Sequence, residues 1–94
     1  MSNYKITDYS YNQAKKLNLI IKSSKNPKKK IDVYDKDNNF INSIGDINYN
    51  DYPNYIKLYN LEYANKRREL YHNRHQHNAT VINSKQYLAM HILW

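Results

Sequence analysis

A chain of 94 residues is sized for one domain and buries only about two-thirds of the surface its unfolded form exposes, which leaves room for one modest core and little for a deep catalytic cleft. Fifteen Lys and Arg against eight Asp and Glu give a net charge of +7, a balance that attracts nucleic acid, anionic membranes or acidic protein faces. The absence of cysteine excludes disulfides, iron–sulfur clusters, thiolate zinc sites and cysteine nucleophiles. A mean hydropathy of -1.01 and few aliphatics would point to disorder. The eleven tyrosines oppose that reading, because each can bury a ring while its hydroxyl keeps a hydrogen-bond partner.

In chain order, Met1 to Lys5 lack the apolar core of a signal peptide, and no apolar run approaches membrane-spanning length. The chain therefore reads as soluble and intracellular, with no membrane partner. Residues 1–16 form a polar lead-in without clear period, in which Tyr4, Tyr9 and Tyr11 are the available anchors. Apolar and β-branched residues from Leu17 to Lys22 predict a strand. Ser23 to Lys28 is a turn by composition, and Pro27 cannot belong to a central strand. Lys30 to Asp35 alternates cleanly as a second strand, Lys36 to Asn39 turns, and Phe40 to Ile44 makes a third. Gly45 is the only glycine and marks a backbone position other residues cannot adopt.

The period then changes. Asp51 caps a helix with Pro53 in its first turn, and Tyr55, Leu58, Tyr59 and Tyr63 are spaced helically. Asn60 marks a break before a longer helix, Leu61 to His75. Gln76 to Ile82 reads as loop, and Ser84 caps a last helix anchored by Leu88, Ile92 and Trp94. The predicted fold is α+β in a single domain, 1–94: a small N-terminal three-stranded antiparallel meander (17–44) packed on two or three C-terminal helices (51–94).

Three groups of residues bear on chemistry. Lys25, Lys28, Lys29 and Lys30 would project together from a hairpin tip as a positive finger toward a phosphate backbone or an acidic partner. A solvated turn is the plainer reading. Lys66, Arg67 and Arg74 form the second group. Arg67 and Arg74 lie two turns apart with Leu70 between and Tyr63 one turn before, a pattern suited to phosphate contact and ring stacking, while Arg68 is suited to lie against core tyrosines. The third is His72, His75 and His77, with His91 elsewhere. No acid stands close in sequence to complete a zinc site, so these are read as the basic end of a helix, with no metal and no cofactor. His75-Gln76-His77 with Tyr87 falls short of the rolling-circle nucleases, whose paired histidines flank an apolar residue on a strand. A single glycine precludes a phosphate-cradling glycine loop, and the acids are scattered rather than paired, so no catalytic residue and no enzyme are expected.

Gly45-Asp46, Tyr49, Asp51-Tyr52, Arg67-Arg68, Tyr71, Arg74-His75, Ser84, Ala89 and Leu93-Trp94 together resemble a family of short basic proteins encoded by giant nucleocytoplasmic DNA viruses, with mimivirus-like, marseillevirus and chlorella-virus relatives. The resemblance covers residues 45–94 well and 17–44 only as a similar strand–turn pattern. Asn83 stands where the family usually has glycine, and Ile92 where leucine is commoner. The resemblance implies a virion component assembled in the host cytoplasm, and it supplies no catalytic residues. On this basis the expected function is that of a minor capsid or internal virion protein acting by contact with other virion proteins. The alternative is a nucleic-acid-binding protein that coats or condenses the viral genome.

Overall fold

The computed structural model describes residues 2–77 and 79–94. Its first element occupies the stretch expected to be a polar lead-in. Helix α1 (Asp8–Lys16) is capped by Thr7, whose hydroxyl accepts from the Ser10 amide, and Lys15 and Lys16 sit at its negative end. Its buried residues are Ser10 and Ala14. Tyr9 packs half-buried beside them, and because this side carries no aliphatic larger than alanine, no clear helical signal is legible in the sequence here. The residues before it are also tied down. Ser2 N donates to Ser24 O at 2.7 Å, and Ile6 is buried.

Leu17 is the C-cap of α1, and Asn18 turns the chain at φ 56°, so the first strand starts later than its apolar run. Strands β1 (Ile20–Ser23), β2 (Lys29–Tyr34) and β3 (Phe40–Asp46) form the antiparallel meander in the order β1-β2-β3. The register places Ile21 beside Val33 and Ile31 beside Ile44, gathering the β-branched residues on one face. The central strand is covered on both sides. Ile31 and Val33 are fully buried, and so nearly are Lys30 and Asp32, each 3% exposed, which alternate with them. Asp32 accepts from Ser24 Oγ, Ser43 Oγ and Lys25 N, so its carboxylate is fully partnered within the sheet.

Three helices follow the sheet: α2 (Tyr52–Leu58), α3 (Leu61–His75) and α4 (Lys85–Ile92). Asp51, Asn60 and Ser84 cap them, each accepting a backbone amide in the first turn. Helix α4 packs on α1 and β3, while α2 pairs with α3. Of the fifteen residues of α3, only Ala64 is buried, so this helix lies over the domain with most of its surface in solvent. The core is aliphatic at its centre, with Ile31, Ile44, Leu88 and Ile92 fully buried. Tyr4, Tyr9, Tyr55, Tyr71 and Tyr87 pack half-buried around it. Apart from Tyr52, which is buried in the core, the tyrosines thus jacket a small aliphatic centre.

Candidate functional site

The loop from β3 to α2 is shaped by its own side chains. Gly45 adopts φ +79°, and a Cβ there would lie 2.8 Å from Leu93 Cδ1 and 3.0 Å from Lys30 Cδ. Only glycine fits that approach without displacement. Asp46 closes the next turn, accepting from Asn48 N through its side chain and from Tyr49 N through its carbonyl. Tyr49 is left 72% exposed at the tip. Asp51 ends the loop and caps α2 through Asn54 N. Its carboxylate also accepts from Asn54 Nδ2 at 2.8 Å, Tyr4 OH at 2.7 Å and Lys30 Nζ at 2.9 Å. Burial, and then the charge of Asp51, hold the Tyr4 hydroxyl well above the ordinary tyrosine pKa.

Facing this loop, α3 presents Arg67, Tyr71, Arg74 and His75, which helical spacing places on one side. The Arg67 guanidinium lies 5.4 Å from the Tyr55 ring centre. Tyr71 stacks on Trp94 with centroids 4.4 Å apart and planes 8° from parallel, and His75 covers it at 4.3 Å. Burial raises the Tyr71 hydroxyl pKa, and the nearby Arg74 charge opposes that rise. Between loop, helix and the Leu93–Trp94 segment lies a concave pocket of about 530 Å³. Its floor is Tyr55, Leu93 and Trp94; its rim carries Tyr49, Arg67, Arg74 and His75. Among the described residues no arginine side chain donates a hydrogen bond to the protein or joins an ion pair, the sole ion pair being Lys30–Asp51.

The residues picked out from sequence separate into three groups. Arg67 and Arg74 line the pocket, while Lys66 is exposed and lies outside it. Lys25 and Lys28 stand exposed on the β1–β2 turn, and Lys29 is half-buried at the strand start. Lys30 does not belong to the finger. It lies inside the central strand, 3% exposed and bonded to Asp51, because that face of the strand is covered too and the Asp51 carboxylate balances the buried charge. The turn and the pocket nevertheless meet: Lys29 pairs with Asp46 across the sheet, and Ile47 N donates to Lys28 O. Arg68 lies 4.9 Å from the Tyr52 ring, the core-facing role anticipated for it. His72 Nε2 is 3.2 Å from the Trp94 backbone oxygen and His91 packs on Tyr87. Among the described residues no three His, Asp or Glu side chains come together as a metal site.

Gly45, Asp46, Tyr49, Tyr71 and Trp94 were not among the site residues picked out from sequence, yet they line the pocket. The signal was present, since these residues belong to the pattern that carries the viral resemblance, but spacing alone cannot say that 45–51 faces 67–75. A second exposed feature is the corner between α2 and α3. Leu58, Tyr59 and Leu61 are each more than half exposed, and Tyr59 and Tyr63 pack ring to ring at 4.6 Å. Tyr63 in turn meets Tyr55 of the pocket floor at 5.7 Å.

No protein-family model, no curated protein and no solved structure matches this chain. Among the described residues no helix is long and apolar enough to cross a membrane.

Proposed function

We propose that this chain is a small, basic, non-enzymatic structural or accessory component of a giant-virus particle, working through contacts with other virion proteins. The observation that carries protein contact is the α2–α3 corner, where two leucines and a tyrosine stand together in solvent. Contiguous apolar and aromatic surface of this kind marks an interface. The viral setting rests on the resemblance of residues 45–94. The pocket supports binding over catalysis: Asp51 is committed to four donors and Asp46 to its turn, and no serine, threonine or cysteine lines the wall.

In purified particles stripped of DNA by nuclease and salt, the protein is expected to stay with the protein shell. A Leu58→Ser, Leu61→Ser variant is expected to be lost from particles while still folding, since both side chains are solvent-exposed. Release of the unaltered protein together with the DNA would overturn the reading. The second reading, a protein that coats the genome, is favoured by exposed Lys25 and Lys28 and by the arginines of α3, which join no ion pair among the described residues.

A further inference from the structure

The pocket has a composition that protein contact at the corner does not use. Its floor is ring and aliphatic surface, and its lining adds polar groups of both kinds: the Asn50 amide, the Arg67 and Arg74 guanidiniums, and the second oxygen of the Asp46 carboxylate, whose Oδ1 holds the turn. Donors and acceptors around an aromatic floor match the edge of a nucleobase. An acidic peptide would meet the Asp46 carboxylate at the wall and leave the aromatic floor unused. Arg67 and Arg74, two helical turns or about 10 Å apart along α3, bracket the opening, and among the described residues neither joins an ion pair. Tyr49 stands at the rim with 72% of its surface in solvent. Beyond the loop, the hairpin bearing Lys28 and Lys29 continues the positive surface.

We propose that this pocket takes one unstacked nucleotide of a single-stranded nucleic acid. Arg67 and Arg74 hold the flanking phosphates, Tyr49 stacks on the base, and Lys28 and Lys29 carry the strand onward. A duplex, whose bases are paired and stacked, presents no ring to this cavity. The inference goes beyond the protein-contact reading and depends on neither the virion setting nor the α2–α3 corner.

Trp94 is the only tryptophan and forms part of the pocket floor, so its fluorescence reports occupancy at this place. Titrating the full chain with a short oligothymidylate is expected to change Trp94 emission saturably. Affinity falls as salt rises, and the salt slope shrinks by about 0.7 for each phosphate contact removed in Lys28→Ser, Lys29→Ser. Tyr49→Ala, whose side chain takes little part in the fold, is expected to weaken binding about five-fold or more through the lost stack. Arg67→Gln with Arg74→Gln should weaken it at least about ten-fold, and Arg74→Gln alone, at an exposed position, guards against misfolding. Oligomer binding that leaves Trp94 emission unmoved overturns the pocket as the site. Thymidine monophosphate binding as tightly as the oligomer makes this a free-nucleotide site and overturns the strand. Equal binding of a duplex, or displacement by a glutamate-rich peptide at matched charge, overturns base recognition.

Discussion

The Lys30 ammonium lies 2.9 Å from the Asp51 carboxylate, with the two side chains 3% and 1% exposed. This pair ties the middle of the sheet to the start of the helical half, and Tyr4 adds the N-terminal segment through the same carboxylate.

Removing either member leaves the other charge buried and unbalanced. Lys30→Met is expected to cost about 3–5 kcal/mol, and Asp51→Ala about 1 kcal/mol more because the α2 cap goes with it. Lys28→Ser, on the exposed turn, should fall within about 0.5 kcal/mol of the unaltered protein. Urea denaturation of the three variants checks this, and a Lys30→Met cost as small as that of Lys28→Ser would refute the structural assignment.

Gly45→Ala puts a methyl group 2.8 Å from Leu93 and holds alanine at φ +79°. The left-handed backbone strain alone is worth about 1–3 kcal/mol. Thermal melting should show a clear loss of stability, and because Leu93 lines the pocket, Trp94 emission should shift in the same variant.

Stability should fall in acid in two stages. Burial, and then the charge of nearby His72, lower the His91 pKa below its ordinary 6.5. The unfolded chain therefore takes up that proton first, and stability present above pH 6.5 declines below it. His91→Asn should remove this first stage from denaturation midpoints measured across that pH. Burial alone would raise the Asp32 pKa, but the hydrogen bonds from Ser24, Ser43 and Lys25 outweigh it, and the net shift is downward. Its contribution is present above about 3.8 and is lost as pH falls through its lower folded value.

Two tyrosine hydroxyls should respond in opposite senses to deletion. Tyr4 OH donates to Asp51 at 2.7 Å, so Tyr4→Phe is expected to destabilise by about 1–3 kcal/mol. Tyr9 OH is buried with no hydrogen-bond partner among the described residues. Tyr9→Phe should therefore be neutral or stabilise by up to about 1 kcal/mol, and a loss as large as that of Tyr4→Phe would reveal a partner for it.

Much of the local structure was legible. Asp51 and Ser84 were read as caps, Asn60 as the break between helices and Gly45 as a special backbone position, because each acts on atoms a few residues away. Alternation over 30–35 and 40–44 likewise located β2 and β3 to within two residues. Helix α1 was missed because its packed side, Tyr9, Ser10 and Ala14, holds no large aliphatic, and β1 was begun too early because Leu17 serves the end of that helix.

By itself the sequence determined the α+β order, the caps and turns, the missing thiol chemistry and the basic balance, all of which follow from residue type and short-range spacing. Only tertiary structure decided which lysine is solvent-facing and which is core, since both faces of β2 are covered and Lys30 is buried by what packs over the strand, while Lys28 stays exposed on the turn before it. It also decided that Tyr49, Arg67, Arg74 and Trp94 share one pocket. That meeting depends on how a loop, a helix and a closing segment pack over a small sheet, and no local interaction encodes it.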